Sequence, residues 1–226
     1  MRVFASCVAV ALCAACGQAT APETSSSGSA SSSVPASSTS VAFTVTPSNV
    51  VRARTKLPPD YELSALPADA TPTALWGIGQ NWNSVPPECA GLVTPITADV
   101  PVNGWSASGP GGIAYVVVAE ANVGFGPAIP DGCVPWRMFT DHTDAVVAFT
   151  DAPVIAGTTT LGLATDMTSK VEGGTETHSR AETFVAYLGA YVVYVVLVTD
   201  PGASGPPLEQ GFASNLLLET VSAIRS

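Results

Sequence analysis

A chain of 226 residues with a net charge of −10, 12% charged residues and 46% hydrophobic ones is poorly suited to nucleic acid. Its acidic surface repels phosphate backbones and also anionic lipid headgroups, so a folded part should stand off a membrane rather than lie on it. Beyond the N-terminus no run reaches the ~18 apolar residues of a spanning helix; the longest, Tyr191 to Val198, stops at Thr199-Asp200-Pro201 and reads as a buried strand.

Met1-Arg2 is a short positive start, and residues 3–15 are apolar or small throughout. That is the pattern of a signal-peptide core, too short to span a bilayer. Residues 1–15 are therefore expected to be a cleaved signal peptide. Three cysteines fall here: Cys7, Cys13 and Cys16. Leu12-Cys13-Ala14-Ala15-Cys16-Gly17 resembles the bacterial lipobox, in which a diacylglyceryl group is attached to the Cys and the chain is cut before it. Small residues are wanted before the cut, and Ala14-Ala15 supply them. Cys7 would leave too short an apolar core, and Cys13 follows the poorly suited Leu12. One departure is that Cys13 occupies the position three before Cys16, where a branched apolar residue is usual. The resemblance implies lipidation at Cys16, an acyl anchor in the membrane, and a location on the outer face of the plasma membrane, in the cell envelope.

Residues 16–47 hold the lipidated cysteine and a tether of Ser, Ala, Thr, Pro and Gly. Such a segment buries too little apolar area to offset its ordering entropy. It reads as a disordered spacer or an O-glycosylated stalk. Residues 48–226 are expected to form one globular domain, long enough to bury its own core.

Within that domain, residues 86–93 begin with Pro86-Pro87 and suggest a short helix with proline at its start. Residues 113–120 and 145–150 read as strands, and residues 133–141 are ambiguous between helix and strand. Residues 161–171 are strand-like and end at Glu172-Gly173-Gly174-Thr175, a two-residue hairpin signal. The chain returns through residues 180–188, and Gly189-Ala190 marks a second tight turn. That turn sets Leu188 opposite Tyr191, Ala186 opposite Val193 and Phe184 opposite Val195. Both faces of this meander are apolar, so its last strand should be central and covered on both sides. Residues 208–225 carry Ala213, Leu216, Leu217, Thr220, Val221 and Ile224 at helical spacing. The fold class expected is α+β: an antiparallel sheet, a meander near the C-terminus, and packed helices including a C-terminal one.

Tyr61-Glu62-Leu63, Trp76-Gly77, Pro86-Pro87-Glu88-Cys89, the Gly104–Gly112 stretch, Cys133 and Trp136 resemble an actinobacterial, mainly mycobacterial, lipoprotein family of unknown function. The layout is more distantly similar to the extracellular sensor domains of mycobacterial receptor Ser/Thr kinases, which carry two disulfides where this domain can form one. Neither resemblance implies a catalytic residue.

Cys89 and Cys133 are the two cysteines of the folded part, and in an oxidising compartment an even pair reads as a disulfide. Asp141-His142-x-Asp144 has the residue types of a metal site but also of an ordinary turn. Gly104-Trp105-Ser106-Ala107-Ser108 is a near miss to the G-x-S-x-G elbow, and here the Ser-rich turn leads into a strand instead of a helix. Gly109 to Gly112 fails as a phosphate loop, since no Lys-Ser/Thr follows. No metal, cofactor or catalytic residue is therefore expected. Trp76, Trp82 and Trp105, flanked by glycines, read either as core or as a stacking wall for a ligand. The function expected is a non-enzymatic, sensor-like binding module for a small envelope ligand. A scaffold acting on an envelope protein is the alternative, and a hydrolase the third reading.

Overall fold

Tyr191-Val192-Val193-Tyr194-Val195-Val196 alternates between two cores, and the fold is built around this strand. In the computed structural model, which describes residues 44–121, 128–199 and 208–226, Val192, Tyr194 and Val196 enter one hydrophobic cluster and Val193 and Val195 another. The described residues all belong to one compact unit, Ser40–Ser226. The signal peptide, Cys16 and nearly all of the tether fall outside the described residues, as does the Gly/Pro stretch 200–207.

Nine strands form one antiparallel sheet: β1 Glu62–Ser64, β2 Asn83–Val85, β3 Val102–Gly109, β4 Gly112–Glu120, β5 Trp136–Phe139, β6 Thr143–Thr150, β7 Thr159–Lys170, β8 Glu176–Leu188 and β9 Tyr191–Val198. Their order is β1-β3-β4-β9-β8-β7-β6-β5-β2. Two helices, α1 Pro72–Leu75 and α2 Phe212–Ile224, and two 3-10 segments, Pro47–Lys56 and Pro87–Val93, complete the described elements. The expected antiparallel sheet and C-terminal helix are present, and the balance is mostly β.

The β8–β9 hairpin has the expected register: Leu188 pairs with Tyr191, Ala186 with Val193 and Phe184 with Val195. Gly189 sits at φ +65°, a conformation that L side chains disfavour, and so permits the two-residue turn. The β7–β8 turn is longer than expected. Lys170 pairs with Glu176, and the Val171 N–H donates to the Thr175 carbonyl at 2.9 Å, so the loop holds three residues. Two adjacent glycines, both at positive φ, accommodate the extra residue. The ambiguous stretch after Cys133 is the strand β5, and the Pro-led turn is a 3-10 segment rather than an α-helix.

Each face of the sheet has its own cover. On one, α1, the second 3-10 segment and neighbouring coil bring Trp76, Leu92, Val93 and Ile96 against Val185, Tyr194 and Val196. On the other, α2 and the first 3-10 segment bring Val50, Ala53, Leu216, Leu217 and Ile224 against Trp105, Val116, Val193 and Val195. The N-terminal boundary falls slightly earlier than Ser48: the Thr46 N–H donates to the Ile224 carbonyl at 2.8 Å, and Val45 packs on this second core.

Candidate functional site

The second cover is partial. Over β3, β4, β9 and the last residues of β8, α2 and its neighbour exclude water. Over β2, β5, the first residues of β6 and β8 and the last residues of β7, the same face is open, while Ala152 and Ile155 pack on the core beside the other ends of β6 and β7. At a strand spacing of ~4.8 Å these five strands span roughly 20 Å. Cross-strand pairing sets Phe139, Asp144, Thr168 and His178 side by side in one row. The adjacent row is Val85, Arg137, Val146, Asp166 and Arg180. Val85 and Val146 are about half exposed, at 55% and 49%.

Three ion pairs lie on this face. The Arg137 guanidinium donates twice to the Asp144 carboxylate and lies 5.1 Å from the centroid of the Phe139 ring. Those hydrogen bonds hold the Asp144 carboxyl below its ordinary value and raise the guanidinium of Arg137. Arg180 pairs with Asp166 at 3.7 Å and Lys170 with Glu176 at 3.8 Å. Thr168 Oγ1 and His178 Nδ1 lie 3.1 Å apart. The result is an exposed surface of ion pairs interrupted by two valines and an aromatic ring. Sequence reasoning missed this surface. The signal available was the period-2 run of polar residues along β8 (Glu176, His178, Arg180, Glu182), which turns apolar only at Phe184.

The tryptophans do not form one wall. Trp105 is fully buried in the core under α2, and its Nε1 donates to the Val50 carbonyl at 3.1 Å. Trp76 is buried on the opposite side of the sheet and donates from Nε1 to Thr183 Oγ1 at 2.8 Å. Trp82 is half-buried beside the core that holds Trp76. The strand β3 carries Trp105 to a different face from the coil that carries Trp76, so their closeness in sequence is lost in space. Of the three residues expected at a ligand site, Trp76, Trp82 and Trp105, two are core residues with satisfied indole N–H groups, and the structure does not bring the three together.

Residues 104–108, expected as a turn, lie inside β3. An extended backbone cannot make a nucleophile elbow, and the Ser106 hydroxyl donates to the Ala65 carbonyl at 2.9 Å. Asp141-His142 forms the β5–β6 turn: the N–H groups of His142 and Thr143 donate to Thr140 Oγ1 at 3.2 and 3.0 Å. Asp144 is engaged by Arg137 instead. Among the described residues no three His, Cys, Asp or Glu side chains gather as metal ligands.

Cys89 and Cys133 form a disulfide, with Cα atoms 5.7 Å apart and both residues fully buried. It ties the second 3-10 segment to the chain leading into β5. A further groove of about 560 Å³ lies between the first 3-10 segment and the start of α2, walled by Leu57, Pro58, Phe212 and the Lys56–Glu219 ion pair.

A nine-stranded antiparallel sheet, covered on one face and partly covered on the other, defines a mostly-β domain. The chain belongs to the family described as Domain of unknown function (DUF5642), whose profile matches residues 46–225. Its fold is similar to that of an X-ray structure of an uncharacterized protein from Mycobacterium smegmatis, the Rv0999 ortholog. Identity is 18%, the match covers 81% of this chain and 98% of that one, and the TM-score is 0.61. No curated protein matches the chain.

Proposed function

We propose that the chain is a cell-envelope lipoprotein whose domain binds a protein partner through the open half of its sheet. The address rests on the apolar core of residues 3–15 and on Cys16 after Ala14-Ala15, and a disulfide suits an extracytoplasmic compartment. The observation that carries the binding reading is the row Val85, Arg137, Val146, Asp166 and Arg180, an exposed ladder across five paired strands. A broad exposed sheet face favours a macromolecular partner over a small ligand, which needs a deep concave site. The sensor-like reading is retained in this form: the partner is sensed by surface contact, without turnover.

A photo-crosslinking residue placed at Val146 tests the reading in cells. The control position is Val154, which is 95% exposed in the coil between β6 and β7. A discrete crosslinked species from position 146 and none from 154 is expected. Equal labelling from both, or none from either, overturns the proposal.

A further inference from the structure

A second site lies at the opposite edge of the sheet. The strand β1 pairs with only Ser106, Ala107 and Ser108 of β3, yet β3 begins at Val102. Among the described residues, residues 102–105 therefore have a partner strand, β4, on one side and none on the other. In an antiparallel ladder alternate residues turn their N–H and C=O outward, so this short edge presents unused backbone donors and acceptors.

Gly104 explains why β1 stops. A Cβ there would lie 2.7 Å from Leu66 Cδ1 and 2.0 Å from the Val116 carbonyl oxygen. Leu66 folds into the room that the missing side chain leaves, and Ser106 Oγ anchors the Ala65 carbonyl at the departure point. The chain is thus drawn off the ladder after Ser64. What remains is a notch of about 670 Å³ lined by Leu63, Leu66, Val102, Gly104 and Arg54.

Arg54 gives the notch its charge. Lys56, Arg137, Lys170 and Arg180 each pair with a carboxylate, and Arg52 donates to Ser226 Oγ. Arg54 has no partner among the described residues, and its Nε is buried with its hydrogen unused. In a domain of strongly negative charge, an uncompensated guanidinium beside an open strand edge selects for an anion that is carried on an extended backbone.

We propose that this notch takes the C-terminal end of an extended peptide. The peptide backbone pairs along the free edge of β3, and its terminal carboxylate accepts hydrogen bonds from the Arg54 guanidinium, which lines the same notch. Four residues of strand span ~13 Å, so three or four peptide residues fill the edge. Main-chain bonds supply affinity, and Leu63, Leu66 and Val102 favour apolar side chains. This site is distinct from the open sheet face and does not depend on it.

The test is a titration of the full chain, followed by amide NMR shifts, with the peptide acetyl-Thr-Val-Val-Ala bearing a free carboxylate. Shifts at Asn103 and Gly104 are expected. Amidation of the peptide terminus should weaken binding at least tenfold, as should Arg54→Gln, which changes a partly exposed side chain and leaves the fold intact. N-methylation of the central peptide bonds, which removes strand donors and leaves the carboxylate, should also abolish the shifts. Equal affinity for acid and amide, an unchanged response in Arg54→Gln, or no shift at millimolar peptide each overturns the proposal. A response confined to residues of the open sheet face would overturn it too, without bearing against the contact proposed there.

Discussion

Removing the disulfide, by Cys89→Ala with Cys133→Ala, tests how much of the domain's stability lies in one covalent tie. The two cysteines are 44 residues apart in sequence. Closing a loop of that length removes chain entropy from the unfolded state worth about 4 kcal/mol at room temperature. For a domain of this size each kcal/mol shifts the melting temperature by roughly 2–4 °C. The double variant should therefore melt roughly 8–16 °C lower than the parent chain. Both cysteines are fully buried, so a reductant added to the folded protein should act slowly and only through opening. Circular dichroism melts of oxidised parent, parent refolded under reductant, and the double variant measure all three. The refolded reduced parent should lie close to the double variant. A shift of less than ~1 kcal/mol would mean that the tied segments are already close in the unfolded chain, and the loop-entropy reasoning would fail.

Thr183→Val leaves the Trp76 indole N–H buried without its acceptor and should cost about 1–3 kcal/mol in denaturant titration, with no change in m-value. Gly112→Ala should cost more than ~2 kcal/mol, because a Cβ there meets the Val198 carbonyl oxygen at 2.1 Å from a backbone at φ +135°. Burial pushes the Tyr187 hydroxyl up to about 12 and raises Tyr194 as well. The unfolded chain then releases protons first, so stability is whole below pH ~10 and falls as pH rises from there towards 12; Tyr187→Phe should flatten that fall in a pH series of urea midpoints. Cys16→Ser should leave an unprocessed precursor in the native host, visible by mass, and normal maturation of that variant would refute the lipidation reading.

The parts of the fold legible from sequence were those with strong local signals. The β8–β9 register followed from the two-residue turn at Gly189-Ala190 and the apolar alternation on either side. The Leu216, Leu217, Val221 and Ile224 spacing marked α2, though its first turn begins at Phe212 rather than Leu208. The strand β3 was hidden because Gly104, Ser106 and Ser108 are turn-forming residues in isolation. They lie extended because β4 pairs with them along their whole length. The edge strands β1 and β2 are three residues each, too short to show a period. The pairing of β4 with β9 joins residues far apart in sequence, and no local pattern encodes it. For the same reason the placement of the tryptophans was not legible. Glycine-flanked tryptophans suggested a wall, but the chain after α1 carries Trp76 into one core and β3 carries Trp105 into the other, a separation that no local pattern encodes.

The hydrogen bond from Thr46 to Ile224 fastens the beginning of the domain to its end. Asn49 Nδ2 and Arg52 Nη1 add bonds to the Ser226 carbonyl and hydroxyl. A mechanical load that arrives through the residues preceding Thr46 is thus borne first by these few polar contacts and by Val45 and Val50 against α2. It would peel the first 3-10 segment away one bond at a time, the weak direction of pulling, while the sheet stays whole. Peeling would uncover Trp105, whose indole N–H is held by Val50, so a pulled molecule would announce itself by its fluorescence before it lost its fold.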